Sequence, residues 1–61
     1  MVNHNMYYVI FKDHIGQWRW HLQAANNKII ATSGESYWNQ ADCEHAISLV
    51  KGSAHAPVYV R

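Results

Sequence analysis

Gln17-Trp18-Arg19-Trp20-His21-Leu22-Gln23 decides how this chain folds. Large apolar and polar side chains alternate through it with period two, the pattern of a half-buried strand and not of a helix. Trp18, Trp20 and Leu22 fall on one face, and Arg19, His21 and Gln23 on the other. Two tryptophans on one face of one strand are a heavy apolar load for a chain of 61 residues. The neighbouring segments read as the means of covering that face.

Upstream, Met6 to Lys12 (MYYVIFK) is rich in aromatic and β-branched residues and predicts a first strand. Asp13-His14-Ile15-Gly16 supplies turn chemistry, with Gly16 free to take positive φ. A three-residue loop of His14, Ile15 and Gly16 sets Asp13 opposite Gln17. Lys12 then faces Trp18, Ile10 faces Trp20 and Tyr8 faces Leu22. A slip by one residue would set Ile10 against Arg19 and turn the apolar face outward.

Downstream, Ala25-Asn26-Asn27 can repeat the device, with Asn27 in the left-handed region that asparagine tolerates. Ala24 would face Lys28, Leu22 would face Ile30 and Trp20 would face Thr32. A two-residue Asn26-Asn27 turn is the alternative and would put Ile29 and Ala31 inside. The bulged loop is preferred because it makes both hairpins alike. On that register Tyr8, Ile10, Trp18, Trp20, Leu22 and Ile30 form the inner face. Gly34-Glu35-Ser36 ends the strand pattern. Asn39 is a good N-cap, with Asp42 at the third helical position. Cys43, Ala46, Ile47 and Val50 follow at i, i+3, i+4 and i+7, a single apolar helical stripe for the tryptophan face. Asp42, Glu44, His45, Ser48 and Lys51 face water, and Gly52 stops the helix. Gly52 to Pro57 reads as an extended linker. Val58-Tyr59-Val60 is a short strand-like run after Pro57, and three such residues need a sheet edge, in this chain or in a second copy.

Size and composition narrow the rest. One domain of 61 residues buries only about 60% of the surface its unfolded chain exposes. Chains this short usually add disulfides, a metal or a second subunit. One cysteine, Cys43, excludes an internal disulfide, and His4, His14, His21, His45 and His55 show no ligand spacing. No metal and no cofactor are expected, and a homodimer follows by elimination. A net charge of +1 and a pI near 8.0 demand neither nucleic acid nor a membrane as partner. No apolar run nears the ~20 residues needed to cross a bilayer, and no signal-peptide pattern opens the chain. With a lone cysteine, the expected setting is the cytoplasm.

With these elements in place the chain resembles the YegP-like family of small bacterial domains of unknown function. The resemblance is carried by Tyr7 to Asp13 (YYVIFKD), Gly16 to Ala25 (GQWRWHLQAA), Lys28 to Gly34 (KIIATSG), Tyr37 and Ala41 to Lys51 (ADCEHAISLVK). The aromatic-Arg-aromatic strand followed by Ala-Ala-Asn is its most specific part. Residues 1–5 read as a polar, flexible lead-in to a domain at 6–61, and the resemblance implies for that domain an α+β fold made of a β-β-β-α-β unit. It also implies an antiparallel sheet with one helix on one face, shared in a homodimer that exchanges its C-terminal strands, here Pro57 to Arg61. Asn27 and Ser36 stand where relatives commonly carry glycine, and Val9 where an acidic residue is frequent. No catalytic or binding residue carries over, because the family has no settled activity.

Site chemistry is correspondingly sparse. Cys43 lies on the apolar stripe, where a small buried thiol is the ordinary reading. His45 points about 200° away from it around a helix, so the two form no dyad. Asp42 and Glu44 diverge, and Asp13 belongs to a turn, which leaves no paired carboxylates. The expectation is therefore no enzyme and no catalytic residue. The outer sheet face carries the one candidate ligand set, Tyr7, Phe11, Arg19 and His21, with Phe11 beside Arg19 and Val9 beside His21. Such a face suits a protein or peptide ligand; a single-stranded nucleic acid, stacked on aromatics and neutralised by Arg19, is the alternative. The reading from sequence is a small non-enzymatic homodimeric binding or assembly domain whose partner is unknown.

Overall fold

A computed structural model describes residues 6–61; the lead-in at 1–5 lies outside the described residues. The elements are β1 (Tyr7–Lys12), β2 (Trp18–Gln23), β3 (Ile29–Thr32) and α1 (Gln40–Lys51). The strands form one antiparallel sheet in the order β1-β2-β3, so the tryptophan strand is central. The fold is α+β, as expected.

The first hairpin keeps the register its alternation dictates: Tyr8 faces Leu22, Ile10 faces Trp20 and Lys12 faces Trp18. Asp13 N–H donates to Gln17 O (2.8 Å), Gly16 N–H donates to Asp13 O (3.0 Å), and Gly16 has φ of 82°. The second loop repeats this geometry. Ala24 N–H donates to Lys28 O (2.8 Å), Asn27 N–H donates to Ala24 O (2.9 Å), and Asn27 takes φ of 69°.

Past that loop the expected register fails. Gln23 faces Ile29, but Leu22 faces Ala31 and His21 faces Thr32, with a bulge between Leu22 and Gln23. Ile30, expected inside, is 53% exposed, and Ile29, inward in the alternative, is 56% exposed. Ala31 is the β3 residue packed on the core. The cause lies further along β2. Buried Ser33 donates its N–H to Trp20 O (2.9 Å), and its Oγ accepts from Trp20 N–H (3.3 Å). Tyr37 and Trp18 exchange both backbone bonds at 2.8 Å. With the loop fixed at one end and Ser33 at the other, one residue is surplus, and a bulge absorbs it.

Asn39 caps α1 in extended backbone, its side chain accepting from Asp42 N–H (2.9 Å). Cys43 and Ile47 are buried against Trp20, with Tyr8, Ile10, Trp18, Leu22, Ala31, Tyr37, Ala46 and Val50 packed around them. The helix thus lies on the tryptophan face. Gly52 ends it where expected, but with φ of −83° and not in the left-handed region. Ser48 O instead accepts from Gly52 N–H (3.1 Å) and Val50 O from Ser53 N–H (3.0 Å). The expected extended linker therefore begins as a turn, continued by Ala56 N–H to Ser53 O (2.9 Å). Among the described residues, 57–61 pair with no strand. Val58, Tyr59 and Val60 are 89%, 75% and 97% exposed.

Candidate functional site: the open sheet face

The face of the sheet away from α1 gathers the side chains that parity assigns to it. Tyr7, Val9 and Phe11 come from β1, and Arg19, His21 and Gln23 stand opposite them in reverse order on β2. All four candidate residues therefore share one face: Tyr7 is exposed, while Phe11, Arg19 and His21 are half-buried. The Phe11 and His21 rings lie 5.1 Å apart at a tilt of 42°.

Polar bonds within the chain organise this surface. Asp13 Oδ2 accepts from Arg19 Nε (2.8 Å), while Oδ1 accepts the N–H groups of Ile15 (3.1 Å) and Gln17 (3.0 Å). The Arg19 bond first, and the Gln17 N–H second, hold the Asp13 carboxyl below its ordinary value of 3.8. Arg19 is thus oriented through Nε, and its charge is offset within the chain. His21 Nε2 donates to Gln23 Oε1 (2.8 Å), and Gln23 Nε2 donates to Asn27 O (3.0 Å). Tyr7 OH donates to Asn27 Oδ1. The second hairpin loop is tied to β1 and β2 in this way.

Asp13 is the member of this face that sequence reading missed. Its turn role was plain, but one carboxylate serves both the turn and the arginine six residues on. The signal available was an acidic residue at a strand end, diagonal to a basic one across a hairpin.

The other candidates keep apart from this face. Cys43 is wholly buried and unpaired, and burial first, then the Glu44 charge, pushes its thiol upward. His45 is exposed on the far side of α1. Ahead of α1, outside any candidate set, Tyr37 joins the core, whereas its neighbour Trp38 is 84% exposed. Among the described residues no group of three or more His, Cys, Asp and Glu gathers to hold a metal, and no helix is long and apolar enough to cross a membrane.

Comparison with known proteins places this geometry in a recognised group. A family described as a domain of unknown function (DUF1508) matches residues 13–59. UPF0339 proteins from Neisseria meningitidis serogroup B and from serogroup A / serotype 4A are each 47% identical over 51 residues, 84% of this chain and 89% of theirs. An NMR solution structure of a protein from Haloferax volcanii matches with a TM-score of 0.84 and 28% identity, over 93% of this chain and 95% of that one. These likenesses agree with the YegP-like resemblance read from the sequence.

Proposed function

We propose, for a chain that belongs to the DUF1508 family of domains of unknown function, that it works as a small non-enzymatic homodimer whose role is binding or assembly. The observation that carries this reading is the exposed run Val58-Tyr59-Val60. Two β-branched residues and a tyrosine left in water beside an open three-stranded sheet are a strand without a partner. The core speaks the same way. Only Trp20, Cys43 and Ile47 are buried apolar residues among those described, a thin interior for a lone domain. Exchange of the segment at 57–61 between two copies would lengthen the sheet and deepen that interior.

The buried, proton-retaining Cys43 thiol supports a non-enzymatic role, since a nucleophilic cysteine needs exposure and a lowered pKa. A free cysteine also suits a reducing, cytoplasmic setting. The open face of Tyr7, Phe11, Arg19 and His21 is where the dimer would meet a protein or peptide ligand. Single-stranded nucleic acid is the weaker reading, because Asp13 already occupies Arg19.

Sedimentation of the intact chain and of a chain lacking residues 57–61 tests the assembly. The intact chain is expected at twice its 7.1 kDa mass, and the shortened one as a less stable monomer. A shortened chain that stays dimeric and equally stable would refute strand exchange.

A further inference from the structure

Aromatic rings beside a cation are what a single-stranded nucleic acid needs, with bases stacked on the rings and phosphates on the charge. The open face has the rings. Phe11 stands opposite Arg19 across the β1–β2 ladder, and the His21 ring lies 5.1 Å from that of Phe11. The cations are scarcer. Lys12 and Arg19 are the only lysine and arginine in the three strands. Lys12 belongs to the inner face, its Nζ 5.1 Å from the centre of the Trp18 ring, which leaves Arg19 alone on the open one.

Asp13 holds that cation, and holds it from a fixed position. Oδ2 accepts from Arg19 Nε at 2.8 Å, while Oδ1 accepts the Ile15 and Gln17 N–H groups of the first hairpin loop. The loop bonds keep the carboxylate from swinging aside when an anion approaches. Its side chain is 10% exposed, against 38% for Arg19. A phosphate that drew Arg19 away would leave a largely covered carboxylate without its counter-charge. A phosphate that met Arg19 in place would lie beside a negative charge of its own sign. An uncharged peptide segment meets neither cost, because it can accept from the Nη groups with the ion pair intact. Discrimination of this kind comes from a repulsive group as much as from an attractive one.

We propose that Asp13 sets the specificity of the open face: by holding Arg19 from a fixed loop position, it denies single-stranded nucleic acid a surface otherwise equipped to stack it. This rests on the open face being the binding surface, as proposed above, and adds what governs its choice of ligand. Asp13 acts through Arg19 and is a positioning residue. One substitution then separates a peptide-binding face from a nucleic-acid-binding one.

The test is binding of a fluorescent single-stranded oligothymidylate to the full chain, followed by anisotropy from low to high salt. Asp13→Asn keeps an oxygen for the loop N–H groups and removes the charge beside Arg19. At low salt it should bind about tenfold more tightly than the unsubstituted chain. Its plot of log affinity against log salt should be steeper by about 0.7 for each Arg19 that engages a phosphate. Asp13→Ser, whose hydroxyl can also serve the turn, should show the same gain and stands in if the asparagine variant does not fold. Adding Arg19→Gln to either variant should abolish the gain, and adding Phe11→Ala should reduce it. Loosening of the hairpin alone would lower the melting temperature without raising affinity or salt slope. A folded Asp13 variant that binds no more tightly than the unsubstituted chain overturns the proposal, as does a gain that survives Arg19→Gln; the peptide reading of the face stands in both cases. Tight, salt-dependent binding by the unsubstituted chain, lost with Arg19→Gln, overturns the proposal and the peptide reading together.

Discussion

The two faces of β2 are one peptide apart, yet they are finished by different physics. On the even side, Trp18, Trp20 and Leu22 are covered by α1 and held by burial, which is non-directional and indifferent to pH. On the odd side, Arg19, His21 and Gln23 are half-buried on the face that no helix covers and are held by aimed bonds to Asp13, to one another and to the loop at Asn27. The inner face should therefore dominate stability. The outer face should cost little to alter and should respond to solution conditions. The outer surface of such a scaffold can be changed without unfolding it.

Removing the indole at the centre of the inner face is the severest way to break that contrast. Trp20→Ala should cost about 3–5 kcal/mol by the lost transfer energy and the cavity left behind. A domain this small has little more than that to lose, so far-UV circular dichroism should report a largely unfolded chain at room temperature. A melting curve close to that of the intact protein would mean that the even side is not the core.

Acid sharpens the contrast through the Asp13 carboxyl, which belongs to the outer face. The Asp13 carboxyl is depressed in the folded chain by Arg19 and by the Gln17 N–H. The stability it contributes is present above its ordinary value of 3.8 and is lost as pH falls through its lower folded value. Asp13→Asn should melt below the intact protein at neutral pH, and the gap should close on acidification from about pH 5 downward. A gap that stays constant down to the acid limit would show that the Asp13–Arg19 clasp adds nothing to folding. The effect is expected to be much smaller than that of Trp20→Ala, since both partners of the pair reach solvent.

How much of this was legible in the letters depended on whether alternation was unambiguous. β1 and β2 could be paired residue by residue because the strict period two of β2 and one glycine loop leave a single register that buries both tryptophans. α1 was legible from Asn39 and the stripe of Cys43, Ala46, Ile47 and Val50. β3 was not, because Ile29-Ile30-Ala31 is an apolar run with no alternation to say which member points inward. The decision came from Ser33 and Tyr37, which grip β2 at Trp20 and Trp18 and force the bulge. Those grips are tertiary and leave no local pattern. The stop at Gly52 was legible as a position but not as a conformation, since glycine also enters ordinary negative φ. The open face was legible as a list of neighbours. The offset of Arg19 was not, because nothing in a turn aspartate announces a second partner.

The proposed function rests on a second copy that completes, through residues 57–61, a three-stranded sheet with open edges. Amide hydrogen exchange at Val58 and Val60, followed by NMR at two protein concentrations, reads that pairing directly. Strand addition predicts that both amides are strongly protected and lose protection on dilution, in step with dissociation of the dimer. Exchange at both sites as fast as in a free edge strand, at every concentration and in a folded protein, would contradict it.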